Sequence, residues 1–204
     1  MKRHIVAISG GGFSEVEHAF IDDYIVNIRR QARKLRIAFV ATASNDAEGY
    51  IEKFYRAFQH EQPSHFTIEQ LSAQTIQHDV NAVDIVYVGG GNTQFMLETW
   101  RKAGFHHVLK NAYHNGVILA GVSAGAMCWF DYCLCETANN QYAVVPGLGF
   151  LNGSFCPHYN DPVRRAAFDS WASNQPHMYA LYDDESLHFQ NETVVAKISG
   201  AARR

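Results

Sequence analysis

The stretch that decides the fold is Val117–Ala126, which reads V-I-L-A-G-V-S-A-G-A. A short apolar run reaches Gly121, and small residues then surround Ser123 on both sides. This order predicts a buried strand, a sharp turn and a helix over Ala124–Phe130, because small residues let the strand and the helix pack closely. The pattern G-x-S-x-G is typical of a nucleophile elbow, where a strained turn lifts a serine hydroxyl clear of the sheet. A phosphate-binding glycine loop is the alternative interpretation.

Apolar runs alternate with amphipathic segments along the rest of the chain, and this alternation predicts a doubly wound α/β fold. The other predicted strands are His4–Ser9, Lys34–Ala41, His65–Leu71, Val83–Val88, Met178–Tyr182, Ser186–Gln190 and Thr193–Ile198, the last two joined by a hairpin turn at Asn191-Glu192. The other predicted helices are Glu15 to Arg30 (with Ser14 and Glu17 as a capping pair), Ala47–His60, Thr93–Lys102, Phe105–Asn115 and Pro162–Ser173. We therefore expect one domain over residues 1–204, with a flavodoxin-like, mostly parallel sheet and helices on both faces.

The composition is that of an ordinary globular protein, with 47% hydrophobic and 18% charged residues among 204. The formal net charge of -3 offers no attraction to nucleic acid or to an anionic membrane. The basic start precedes only a short apolar run that ends in glycines, which predicts a strand rather than a signal peptide. No segment is long and apolar enough to span a bilayer. A cytoplasmic location is the resulting expectation.

The cysteines favour a reducing compartment over a disulfide scaffold. They are Cys128, Cys133, Cys135 and Cys156. The first three are close in sequence but lack the paired spacing of zinc ligands, so we expect neither a metal nor another cofactor.

Three glycine-rich segments are predicted to meet at the carboxyl edge of the sheet, where doubly wound proteins gather their functional residues. These segments are Gly10–Gly12, Gly89–Gly91 and Gly121–Gly125. None of them completes a P-loop or a dinucleotide-binding fingerprint. The backbone N–H groups of Gly90 and Ala124 could instead hold a developing oxyanion.

A serine nucleophile needs a base, and an imidazole is the usual one at neutral pH. His158 is the best candidate, because Pro157 stiffens the loop that carries it after an apolar, glycine-punctuated stretch. His114, His177 and His188 stay open as alternatives.

Three motifs occur in a recognisable order: V-G-G-G-N-T at Val88–Thr93, G-x-S-A-G-A at Gly121–Ala126 and C-P-H-Y at Cys156–Tyr159. Their order and spacing resemble the peptidase E/cyanophycinase family of serine peptidases, and the resemblance covers nearly the whole chain. It implies that Ser123 is the nucleophile and His158 the base. It also implies an oxyanion hole from the Gly89–Gly91 loop and Ala124, and a small-peptide substrate, in peptidase E a dipeptide that begins with aspartate.

The third catalytic residue is where the chain departs from that family. Family members commonly carry an aspartate in the loop after the serine, and here Thr137–Asn140 contains no carboxylate. An acidic turn near the end survives as Asp183-Asp184-Glu185. Asp184 is therefore the predicted acid, with Glu136 and Asn140 as alternatives. A pair of solvated charges is the competing interpretation of the turn.

An acidic substrate residue calls for a basic partner, and Arg164 and Arg165 follow His158, although a solvated helix face would also explain them. Asn92 and Tyr159 are further candidates for substrate binding. Two other functions stay open: an esterase or amidase of small acyl substrates, and a catalytically silent binding protein, which the missing loop carboxylate suggests. The sequence also leaves a homodimer open.

Overall fold

A computed structural model of the chain describes residues 1–15, 20–137, 139 and 141–199. The strands, in chain order, are β1 (His4–Ile8), β2 (Arg36–Val40), β3 (Gln62–Phe66), β4 (Ile85–Val88), β5 (Ile118–Val122), β6 (Phe130–Glu136), β7 (Tyr142–Pro146), β8 (Leu151–Cys156), β9 (Met178–Ala180), β10 (Glu185–Gln190) and β11 (Thr193–Ser199). The α-helices are α1 (Phe20–Ile28), α2 (Glu48–Ala57), α3 (Ile76–Asn81), α4 (Thr93–Ala103), α5 (Phe105–His114), α6 (Ala124–Met127) and α7 (Pro162–Ala172). Short 3-10 helices cover Gly12–Ser14, Thr42–Ser44 and Glu69–Ser72.

The larger sheet has the strand order β11-β10-β1-β5-β4-β2-β3 among the described residues. The five neighbours β1, β5, β4, β2 and β3 pair in parallel. Strands β10 and β11 extend the sheet beyond β1 as antiparallel strands. This confirms the predicted class, a doubly wound and mostly parallel α/β sheet. The parallel strands do not follow the 2-1-3-4-5 order of flavodoxin itself. The order found here sets β1 directly beside β5, so the end of β1 lies next to Ser123.

Both faces of this sheet are covered, as the near-continuous apolar runs predict. In β1, Val6 and Ile8 pack into a cluster with side chains of α1 and α2, whereas Ile5 and Ala7 belong to a second cluster with α3, α4, α5 and α6. The alternation follows from the two-residue period of a strand. The helices packed on both faces hold the parallel strands in place. They therefore also position the loops at the carboxyl ends of these strands.

A second sheet, with the order β7-β6-β8-β9, is not predicted by the sequence. The helix expected to continue to Phe130 ends at Met127, because Phe130 already begins β6. In its place, Phe130 stacks on Phe155 with ring centroids 5.6 Å apart. The tail strand that the sequence predicts at 178–182 is β9, and it pairs with β8 rather than with the larger sheet.

Several element boundaries differ from the predicted ones. Strand β3 begins at Gln62 and contains Pro63, which an edge strand tolerates because its missing N–H breaks no ladder on the open side. The Ser14 hydroxyl donates to the carbonyl of Gly11, and its predicted partner Glu17 lies outside the described residues. The hairpin turn is confirmed: Asn191 and Glu192 both have positive φ, at 49° and 64°.

None of the helices in the described part of the chain has the length and apolar character that crossing a membrane requires. The four cysteines are free and buried. Within the same residues there is no group of three or more histidine, cysteine, aspartate or glutamate side chains placed to hold a metal ion.

Candidate active site

Ser123 lies in a sharp turn between β5 and α6. Its φ of 55° and ψ of -111° are rare for a residue other than glycine, so the surrounding structure must hold the turn. The Ser123 N–H donates to the carbonyl of Ile8 at the end of β1 (2.9 Å). A Cβ on Gly121 would lie 2.0 Å from the Gly125 oxygen, and a Cβ on Gly125 would lie 2.4 Å from the Val88 oxygen. Side chains at these glycines would push α6 off the sheet and displace Ser123.

His158 joins Ser123 to a carboxylate. His158 Nε2 lies 2.9 Å from Ser123 Oγ, and His158 Nδ1 lies 2.6 Å from Asp183 Oδ1. An ionised carboxylate can only accept, so Nδ1 carries the proton and donates it to Asp183. Nε2 is then left to accept the Ser123 hydroxyl proton, which is the arrangement a general base needs.

The carboxylate that bonds to His158 is therefore that of Asp183, whereas the sequence favours the adjacent Asp184. Asp184 has a positive φ of 62°, and its N–H donates to the carbonyl of Gly10 (3.1 Å). Its Oδ1 lies beside Gly11, only 2.6 Å from where a Cβ on that glycine would be. Two adjacent carboxylates of one tight turn thus have different neighbours. The conformation of the turn, and not the residue type, decides which of them contacts His158.

The other candidates for base and acid lie elsewhere. His114 is exposed at the end of α5 and bonds to the Lys110 carbonyl, while His188 is buried between His4 and Tyr24. His177 lines a separate cavity beside Trp171. Glu136 shares the cavity of Ser123, described below, but does not bond to His158. Asn140 lies outside the described residues.

One of the two expected oxyanion donors already has a hydrogen-bond partner. The Gly90 N–H donates to the hydroxyl of Tyr50 (3.3 Å), so it is already occupied. Burial raises the pKa of Tyr50, which keeps that hydroxyl protonated. Gly91 lines the cavity with Ser123, and among the described residues neither its N–H nor that of Ala124 has a partner. Two backbone N–H groups near Ser123, those of Gly91 and Ala124, are therefore unpaired among the described residues.

A cavity of about 370 Å³ opens onto Ser123. This volume is at the small end of ligand sites in proteins. The lining residues are Gly91, Asn92, Thr93, Ser123, Met127, Cys135, Glu136, Thr137 and Arg164. A larger cavity of about 690 Å³ lies between α2 and β3, but no residue of the Ser123 cavity lines it. We assign the site to the smaller cavity because it contains the strained serine.

The structure separates the predicted substrate-binding residues. Asn92 lines the cavity and also caps α4, since its side chain accepts the N–H of Phe95 (2.9 Å). Tyr159 is outside the described cavity lining, and its hydroxyl donates to Asp169 on α7 (2.8 Å). Its assignment to substrate binding therefore has no support from the cavity.

Two side chains of opposite charge share the cavity. Arg164, in the first turn of α7, lines the cavity, and its guanidinium carbon lies 5.5 Å from the centre of the Tyr142 ring. Arg164 forms no ion pair among the described residues. Glu136 supplies the negative charge. The neighbouring Arg165 stacks on Tyr159 instead and does not line the cavity. The cavity can therefore neutralise an anionic group and an ammonium group at once.

Sequence reasoning missed two contributors to this site. Ser9 is fully buried, and its hydroxyl accepts the backbone N–H of His158 (2.7 Å). Asn160 accepts the N–H of Asp183 through its side chain (3.2 Å) and so ties the histidine loop to the acidic turn. The position of Ser9 between a buried strand and a run of glycines could have indicated its role from the sequence. For Asn160, only its nearness to His158 in the sequence could have done so.

Comparisons with known proteins give matches over nearly the whole chain. The model of a protein family described as Peptidase family S51 matches residues 5–197. The chain is 40% identical over 203 residues to a Bacillus subtilis (strain 168) protein named uncharacterized peptidase YgaJ, covering 97% of this chain and 87% of that protein. It is 25% identical to uncharacterized peptidase PM1590 of Pasteurella multocida (strain Pm70), covering 97% and 98%.

Two solved structures share the fold. One is a Listeria monocytogenes EGD-e protein assigned as a peptidase E, with a TM-score of 0.76 and 19% identity over 98% of this chain and 100% of that one. The other is a peptidase from an acI-B1 Actinobacterium, with a TM-score of 0.69 and 17% identity over 98% and 89%. At these identities the likeness concerns the fold alone.

Proposed function

Because the chain belongs to peptidase family S51 and is therefore a peptidase, we propose that it cleaves small peptides through Ser123, His158 and Asp183. The observation that carries this proposal is the continuous hydrogen-bond chain from Ser123 Oγ through His158 to Asp183 Oδ1. The turn at Ser123 then acts as a nucleophile elbow.

In the proposed reaction, His158 Nε2 takes the proton of Ser123 as its Oγ attacks the amide carbonyl. The N–H groups of Gly91 and Ala124 stabilise the negative charge that develops on the carbonyl oxygen. The protonated His158 then gives its proton to the leaving amine, and an acyl group stays on Ser123. Water, activated by the same histidine, releases that acyl group. Asp183 stabilises the imidazolium throughout.

The main argument for a catalytically silent protein was the missing carboxylate in the loop after Ser123. Asp183 supplies a carboxylate to His158 from another loop, so the absence no longer favours that alternative. An esterase would use the same three residues, and no feature of the cavity favours an ester over an amide.

For the substrate, we propose a short peptide with a free amino end and an acidic first residue. The size of the cavity suits one or two residues rather than a folded chain. Arg164 would bind the acidic side chain, since a guanidinium matches a carboxylate with two parallel hydrogen bonds. Glu136 would bind the α-ammonium group.

The proposed function is tested by labelling the protein with a fluorophosphonate, which reacts with activated serines. We expect stoichiometric labelling that mass spectrometry of the digested protein locates at Ser123, and no labelling after heat denaturation. Failure of the folded protein to react, or reaction at another serine, would overturn the assignment of the nucleophile.

The acidic preference is tested separately with Arg164→Gln. We expect its kcat/KM for a dipeptide with aspartate first to fall by about 100-fold, because the substrate carboxylate would be left unpaired in the cavity. For a dipeptide with alanine first the change should stay within about threefold. The matched control is Arg165→Gln, which removes a guanidinium one residue away and outside the cavity. Equal losses on both dipeptides in Arg164→Gln would contradict this role.

A further inference from the structure

We propose that Ser9 is a positioning residue for His158, and that the end of β1 sets the geometry of all three catalytic side chains. This inference rests on the proposed function, and it assigns Ser9 a part in the reaction although Ser9 does not touch the reacting atoms.

The Ser9 hydroxyl connects the two loops that carry His158 and Asp183. It accepts the backbone N–H of His158 (2.7 Å) and donates to the carbonyl of Leu181 (2.8 Å). Leu181 opens the segment that leads into the acidic turn. One fully buried hydroxyl therefore joins the two loops at His158 itself, and the bond from the Tyr159 N–H to the Leu181 carbonyl (3.0 Å) joins them one residue further along.

The residues on either side of Ser9 hold the rest of the site. The carbonyl of Ile8 accepts the N–H of Ser123 (2.9 Å). A Cβ on Gly10 would lie 2.2 Å from Asp183 Oδ1 and 3.0 Å from His158 Cε1, so only a glycine leaves room for this pair. Three consecutive residues thus contact every member of the proposed catalytic group.

A hydroxyl is suited to this place because it accepts one hydrogen bond and donates another. His158 has a positive φ of 53°, a conformation that costs energy unless its surroundings hold it. Without the Ser9 hydroxyl, the N–H of His158 and the carbonyl of Leu181 would lose these partners. The loop would then relax, and a displacement of about 1 Å at the base lowers a rate by as much as 100-fold.

The chain offers a matched control in Ser186. This serine is also fully buried and pairs with Ile8 across the sheet, but its hydroxyl has no hydrogen-bond partner among the described residues. Ser186→Ala therefore removes the same atom from the same neighbourhood without loosening the His158 loop.

The experiment measures the rate of fluorophosphonate labelling of Ser123 in the wild type, Ser9→Ala and Ser186→Ala, at a temperature well below unfolding. We expect labelling to slow by about 10- to 100-fold in Ser9→Ala and to stay within twofold in Ser186→Ala. Proton NMR adds a readout that lost stability alone would not move. The low-field resonance of the proton between His158 and Asp183 should shift or broaden in Ser9→Ala only.

If Ser9→Ala is labelled at the wild-type rate and its low-field proton resonance does not move, the role of Ser9 is overturned and the proposed function stays intact. A wild type that is not labelled would overturn the proposed function and this inference with it. If Ser9→Ala does not fold, Ser9→Cys decides, because its thiol still fills the site but forms weaker hydrogen bonds. We expect its labelling to slow several-fold, and an unchanged rate would again overturn the inference.

Discussion

His158→Ala is expected to lower kcat for hydrolysis of an aspartyl dipeptide by about 10⁶-fold, because Ser123 loses the one base that contacts its hydroxyl among the described residues. Removing either Ser123 or His158 should lower kcat about as much as removing both, since the nucleophile and its base act as one unit. The Ser123→Ala and His158→Ala double variant should therefore be no slower than either single variant. Steady-state rates, with active-site titration of the wild type, measure this directly.

The matched control for this prediction is His114→Ala. His114 is exposed at the end of α5, so its removal should leave kcat within about twofold. If His158→Ala kept kcat within tenfold of the wild type, another group would have to be the base, and the proposed mechanism would be wrong.

Asp183→Asn is expected to lower kcat by about 10⁴-fold while KM changes little. An asparagine can turn its amide N–H towards His158 Nδ1, which moves the imidazole proton to Nε2 and so prevents it from accepting the Ser123 proton. The substitution preserves shape, which matters because Gly10 leaves so little space around this carboxylate. The comparison variant is Asp184→Asn, one residue further along.

Asp184→Asn should lower kcat by less than tenfold, because its Oδ1 lies beside Gly11 and not beside His158. The two variants together decide which aspartate serves the histidine. A large loss in Asp184→Asn with near-normal rates in Asp183→Asn would restore the assignment that the sequence pattern favours.

The parts of this protein that can be predicted from the sequence are those that depend on residues close together in the chain. Apolar runs buried on both faces predict the parallel strands, and the small residues around Ser123 predict the turn that follows β5. The glycines at Gly89–Gly91 predict a loop that approaches this turn closely. The second sheet was missed because β6, β8 and β9 are partly exposed, and their pairing depends on contacts between distant segments.

The choice between neighbouring residues shows where such prediction ends. Arg164 and Arg165 are adjacent and chemically identical, yet only Arg164 lines the cavity, since successive helical residues lie on different faces. Gly90 and Gly91 differ in the same way, because Tyr50 from α2 occupies the Gly90 N–H. In both cases a partner from another element decides the role.

By itself, the sequence determined the fold class and the sharp turn at Ser123, and through ordered motifs it favoured His158 as the base. The tertiary structure alone decided that Asp183 rather than Asp184 meets His158, and that Ser9 holds the histidine loop. The physical reason is that the acidic turn takes its conformation from hydrogen bonds to the end of β1, a strand at the opposite end of the chain. The residue types within the turn do not allow those hydrogen bonds to be predicted.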